Sequence, residues 1–154
     1  MQSKDEYVPR GRVLAVDDHQ HLRWVISKLL SERGHEVRTA STGASALKVI
    51  SGFDCQVAIV DYRLPDTDGI ALILEMKSHL PRLRSILMTS YGNASLCQSA
   101  MDENLFAYFD KPFNNTLMIR TVEDAIREHE TGDNSLAGGL GARTLFPDRS
   151  PSKS

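Results

Sequence analysis

Short apolar runs alternate with amphipathic stretches along most of the chain. The first run, Val13-Leu14-Ala15-Val16, ends abruptly at Asp17-Asp18. A run apolar on both faces suits a central parallel strand covered on both sides. From Gln20 to Arg33 the period changes: Leu22, Val25, Ile26, Leu29 and Leu30 fall on one face of a helix, and Gly34 stands where a helix C-terminus is expected. Glu36–Ala40 predicts a second strand through Val37 and Thr39, followed by a short helix over Ala44–Ile50 closed by Ser51-Gly52. The third strand, Val57-Ala58-Ile59-Val60, runs straight into Asp61. Leu64 to Gly69 is a loop by its proline and glycine, and Ile70–Leu80 predicts a helix stopped by Pro81. Ile86–Met88 is a fourth strand meeting Thr89-Ser90, Ala94–Glu103 a weaker helix, and Phe106–Phe109 a fifth strand before Lys111-Pro112. A last helix is expected over Thr116–Glu130, with Met118, Val122, Ala125 and Ile126 on one side. Strands and helices in strict alternation define an α/β sheet of βα repeats with right-handed crossovers.

The pattern sets the domain limits. Residues 1–10 form an N-terminal extension, 11–130 one folded domain, and 131–154 a tail without sustained period. The tail is rich in Gly, Ser and Pro, too poor in apolar residues to offset the entropy of ordering, and is expected to be disordered. Its Gly138-Gly139-Leu140-Gly141 cluster follows no strand and opens no helix, which argues against a nucleotide loop.

Composition changes the picture little. Apolar residues make up 41% and charged residues 25%, enough for a core, and the net charge of −2 gives no support for nucleic-acid binding through bulk electrostatics. No apolar run approaches the roughly 20 residues that span a bilayer, and Met1–Arg10 lacks a signal-peptide core. The two cysteines, Cys55 and Cys97, sit in apolar stretches and read as buried free thiols, pointing to a cytoplasmic protein.

The chemistry lies at the strand ends. In doubly wound sheets ligands bind outside the carboxyl ends of the strands. Strand one delivers Asp17 and Asp18, strand three Asp61, strand four Thr89, and strand five leads to Lys111. Each has a plain structural reading by itself; Asp18 before a helix is a natural N-cap. Together they are harder to explain blandly, because two like charges about 4 Å apart repel by roughly 4 kcal/mol at an effective dielectric of about 20. A divalent cation relieves that repulsion. Oxygen ligands point to Mg²⁺, and no His/Cys set of the kind zinc prefers is present.

Asp17-Asp18, Asp61, Pro65 through Gly69, Thr89 and Lys111-Pro112-Phe113, in this order and spacing, make the chain similar to the receiver domain of two-component response regulators, from about Arg12 to Glu130. The resemblance is to stand-alone receivers of the chemotaxis and sporulation-regulator kind. It implies a flavodoxin-like five-stranded parallel sheet of order 2-1-3-4-5, an order the sequence alone does not fix. It also implies Mg²⁺ ligation by Asp18, Asp61 and the backbone carbonyl of Arg63, with Asp17 acting through water. Asp61 would be the phosphoacceptor, taking a phosphoryl group from the phosphohistidine of a sensor histidine kinase, supported by Lys111 and Thr89. Lys111-Pro112 would be cis. Thr89 and Tyr108 would be the switch pair, and the output surface the face of helix 94–103, strand five and the last helix, with Leu96, Leu117 and Tyr108 exposed. Trp24 lies off the apolar stripe of its helix and would mark a kinase-docking surface. Bulky Arg63 and Tyr91 would screen water from the phosphoryl group and prolong its life, and Asn104 replaces a usual glycine in a turn that tolerates it.

The expected protein is therefore a phosphorylation-switched receiver, not an enzyme turning over an external substrate. It would act on an unknown downstream protein or pass the group to a histidine phosphotransfer domain, with no direct contact to nucleic acid or membrane. The alternatives are the N-terminal part of a larger regulator and a phosphorylation-independent interaction module. An Asp-nucleophile phosphatase would want an acid two residues after Asp61, where Arg63 stands.

Overall fold

The apolar runs become the centre of a parallel sheet. The computed structural model describes residues 9–90 and 105–132. Its strands are β1 (Arg12–Val16), β2 (Glu36–Ala40), β3 (Val57–Asp61), β4 (Arg84–Thr89) and β5 (Leu105–Asp110), hydrogen-bonded in the order β2-β1-β3-β4-β5. All pairings are parallel, as expected from the sequence. The helices are α1 (Gln20–Ser31), α2 (Gly43–Ile50), α3 (Gly69–His79) and α4 (Asn115–Thr131).

Two cores form because successive strand side chains point to opposite faces. Val13, Ala15, Ile59, Ile86 and Met88 pack with Ile26 and Leu30 of α1 and with Val122 and Ile126 of α4. Leu14, Val16, Val60 and Leu87 pack on the other face with Ala46 of α2 and Leu72 and Met76 of α3. Strand β3 is buried along its whole length, whereas β2 exposes three of its five residues at the sheet edge.

Helix starts are set by short polar side chains. Thr42 and Ser45 form a reciprocal capping box on α2, while Asp68 accepts from Ala71 N–H on α3 and Asn114 from Leu117 N–H on α4. Asp66, from the loop after β3, accepts the first two amides of α2, Gly43 N–H at 2.8 Å and Ala44 N–H at 2.9 Å. Those bonds hold its carboxyl below the ordinary value.

Some expected boundaries move. Helix α1 stops at Ser31, two residues short of Arg33, because the chain turns at once: Arg33 and Gly34 donate back to Leu30 and Ser31, and Gly34 takes a left-handed φ of 96°. Helix α4 includes Thr131, assigned to the tail from sequence, and ends at Gly132 with φ 74°. The helix expected over Ala94–Glu103, with Leu96, Tyr91, Cys97 and Asn104, lies outside the described residues, as does 133–154. Cys55 is a buried free thiol, its pKa pushed up to about 12 by burial. Among the described residues no helix is long and apolar enough to cross a membrane.

Candidate functional site

The site is built from the carboxyl ends of β1, β3, β4 and β5. At the end of β1, Asp17 is completely buried and both its oxygens are used. Oδ1 accepts the His19 N–H at 2.7 Å, and Oδ2 accepts from Lys111 Nζ at 2.9 Å. The Asp17 carbonyl accepts from Arg23 Nη1 at 2.7 Å, tying the strand end to α1. Asp18 does not become the N-cap of α1. His19 takes that position with no side-chain cap bond, so the Asp18 carboxylate is left to the pocket.

Asp61 ends β3 and is nearly buried. Its Oδ1 lies 3.2 Å from Lys111 Nζ, so one ammonium bridges Asp17 and Asp61. The loop that follows is folded back tightly: Tyr62 N–H donates to Met88 O at 2.7 Å and Gly69 N–H to Tyr62 O at 2.7 Å, with Arg63 paired to Asp68. Thr89 closes β4 and is buried. Lys111 follows β5, its N–H donating to Thr89 O at 2.9 Å, and its bond to Pro112 is cis, as the resemblance implied. Asp18, Asp61, Arg63, Thr89 and Lys111 line one open cavity of about 600 Å³ together with His19.

The electrostatics are unbalanced. Burial raises the Asp61 carboxyl above its ordinary value, helped by the Asp17 charge, and the opposing pull of Lys111 does not cancel it. Burial disfavours the Lys111 charge, but hydrogen bonds and charges from Asp17 and Asp61 outweigh this and raise its pKa. One ammonium thus faces three carboxylates. Donor atoms of Asp17, Asp18, His19 and Asp61 all lie within 4.8 Å of one another. Ligands on opposite sides of one ion with bonds of about 2.1–2.4 Å are roughly 4.2–4.8 Å apart, so this donor set fits a small divalent cation.

Two expectations need revision. Tyr108 is not exposed on an output face: it is 3% accessible, and its hydroxyl donates to Asp110 Oδ1 at 2.6 Å. On β5 it points to the core with Leu87 and Val60 rather than outward, because odd and even strand positions alternate faces. Leu117 is partly buried against the opposite core. His19 is the site residue missed from the sequence; its position directly after Asp17-Asp18 is the signal that would have found it.

The response regulator receiver domain family matches residues 13–123, and the chain belongs to that family. It is a receiver domain of the two-component response regulators. Over 121 residues it is 33% identical to the DNA-binding transcriptional regulator NtrC of Escherichia coli K12, covering 79% of this chain but 26% of NtrC. It thus spans about a quarter of the length of that relative. It is 26% identical to sporulation initiation phosphotransferase F of Bacillus subtilis, covering 77% of this chain and 92% of that protein. A response regulator receiver domain protein from Clostridium thermocellum superimposes with a TM-score of 0.74 at 26% identity, covering 80% of this chain and 99% of that one.

Proposed function

We propose that Asp61 is a phosphoacceptor and that its phosphorylation switches a protein-binding surface. The observation that carries this is the Lys111 ammonium held at 2.9 Å from buried Asp17 and 3.2 Å from Asp61, at the mouth of a cavity. Asp18, Asp61 and the Arg63 carbonyl would hold Mg²⁺, with Asp17 acting through water; when bound, the ion supplies positive charge for phosphoryl oxygens. An Asp61 carboxylate oxygen attacks the phosphorus of a phosphohistidine, the P–N bond breaks, and the imidazole leaves with the electron pair. Lys111 neutralises a phosphoryl oxygen, and the Thr89 hydroxyl donates to another. The tie from Asp17 holds Lys111 in place before the donor arrives.

The donor is a sensor histidine kinase or a histidine phosphotransfer domain in the cytoplasm. Trp24, 58% exposed and flanked by the His21 ring and Lys28, stands on α1 where such a partner would dock. An apolar groove lined from the same helix by Leu22 and Val25, and by Phe113, reaches Lys111. Thr89 and Tyr108 transmit the change by population shift. Tyr108 starts from the buried position rather than swinging in from solvent.

A second reading, the N-terminal receiver of a larger DNA-binding regulator, is favoured by the 26% coverage of NtrC. The size of the native protein on an immunoblot separates the two outputs. The receiver chemistry is tested by incubation with Mg²⁺ and acetyl phosphate followed by intact mass. A gain of roughly 80 Da, one phosphoryl group, that Asp61→Asn abolishes is expected. No adduct would favour the interaction-module alternative.

A further inference from the structure

His19 belongs to no part of the phosphoryl-transfer chemistry set out above. It starts α1 directly after the acidic pair, and its main-chain N–H donates to Asp17 Oδ1 at 2.7 Å. That bond fixes the backbone so that the ring lies over the carboxylates. Nδ1 sits 3.1 Å from Asp17 Oδ1 and 3.4 Å from Asp18 Oδ1, although the side chain is 70% exposed. The same nitrogen falls within the 4.8 Å span shared by the donor oxygens of Asp17, Asp18 and Asp61. Mg²⁺ takes oxygen and keeps its waters, so it gains little from an imidazole. First-row transition ions gain more, because imidazole nitrogen suits them and their affinities for N/O sites rise along the series from Mn²⁺.

We propose that His19 is a specificity-determining ligand, and that through its Nδ1 the pocket takes a divalent first-row transition ion in preference to Mg²⁺. The inference rests on the metal-binding reading of the Asp18–Asp61 pocket and names which cation that pocket selects. In the metal-free pocket Nδ1 lies at hydrogen-bond distance from the Asp17 carboxylate, which only accepts, so coordination replaces that bond: the Nδ1 lone pair goes to the ion and the ring proton resides on Nε2. Asp17 is already committed to Lys111 through Oδ2, which leaves Asp18, Asp61 and His19 as the side chains that meet the ion directly.

Isothermal titration of the full chain with Mg²⁺ and with Co²⁺ tests this, comparing wild type with His19→Ala, His19→Gln and Asp61→Asn. Wild type binds Co²⁺ more tightly than Mg²⁺. Both His19 variants lose about tenfold or more in Co²⁺ affinity, the scale expected for disturbing a metal's donor shell. Their Mg²⁺ affinity stays within about threefold, which also reports a folded pocket. Pulsed electron paramagnetic resonance of the Mn²⁺-loaded chain shows nitrogen modulation that His19→Ala removes. Equal losses of Co²⁺ and Mg²⁺ affinity, or no nitrogen modulation in wild type, would overturn the proposal while leaving the pocket intact. If Asp61→Asn leaves binding of both ions unchanged, the pocket reading fails as well.

Discussion

Gly69 sits where the acidic pocket leaves no room for a side chain. A Cβ there would stand 2.5 Å from the Asp61 carbonyl oxygen and 3.0 Å from Tyr62 Cα, both main-chain atoms that cannot swing aside. At Gly43 an added Cβ would meet Thr67 Cγ2 at 2.6 Å, the end of a side chain that can rotate. Gly69→Ala should therefore destabilise by about 2–3 kcal/mol, as overpacking does, and slow the proposed phosphorylation because the Asp61 backbone must shift. Gly43→Ala should cost clearly less. Urea denaturation of both variants measures this, and equal losses would contradict it. The sequence marked position 69 as a turn glycine through its Pro65–Gly69 context, but not the reason for it. The contact is with a residue eight positions earlier, and it exists only once the loop folds back. His19 offered only its place next to Asp17-Asp18: a lone histidine has no periodicity, and its neighbours in space become definite only when the end of β1 is placed.

Between elements, a buried polar tie joins α4 to the turn after α1. Glu123 is buried and accepts from Arg33 Nε at 2.9 Å and Nη2 at 2.7 Å. His35 lies with Nε2 2.9 Å from the same carboxylate, while its Nδ1 accepts the Gly11 N–H at 3.0 Å, which places the ring proton on Nε2. Burial works against the Glu123 charge, but the hydrogen bonds from Arg33 and His35 and the Arg33 charge outweigh it, so its carboxyl lies below the ordinary value. A carboxyl with a depressed folded pKa contributes stability that is full above the unfolded value, near about 4.3, and is lost as pH falls through the folded value. Glu123→Ala should cost about 2 kcal/mol at pH 7, from lost charge-assisted hydrogen bonds and an abandoned buried partner. Its deficit against wild type should shrink below the carboxylate range. Chemical denaturation at pH 7 and pH 3.5 gives the comparison, and a deficit that does not change with pH would refute the linkage. None of this tie was visible beforehand, since His35 and Glu123 are 88 positions apart. The elements themselves were visible. β1 and β3 are apolar on both faces because helices cover both, and the α1 stripe held at Ile26 and Leu30. Only the turn geometry at Gly34 trimmed its end.

The two ends of the sheet balance their charges differently. The amino end is tied down by the paired Glu123 network, whereas the carboxyl end gathers Asp17, Asp18 and Asp61 around one lysine. Asp61 has its pKa raised, first by burial and then by Asp17. For a carboxyl the sign is then the reverse of Glu123: between its unfolded and folded pKa the native state binds more protons, so stability falls as pH rises through that window. The ionised residue is a liability to the fold. Asp61→Asn should accordingly be more stable than wild type in EDTA at pH 7, by roughly 1 kcal/mol, since it removes repulsion at close range while Lys111 keeps Asp17. That advantage should disappear on acidification, when wild-type Asp61 is protonated. Divalent metal should then reverse the order. An ion that binds only the folded state, at ten times its dissociation constant, contributes about 1.4 kcal/mol to wild type, and much less to a variant lacking one charged ligand. Thermal melts of the two proteins in EDTA and in Mg²⁺ therefore cross: Asp61→Asn melts higher without metal and wild type gains more with it. If wild type is the more stable without metal, or if Mg²⁺ raises both melting temperatures equally, the three carboxylates do not repel at close quarters and the acidic edge is not a metal pocket held at the expense of the fold.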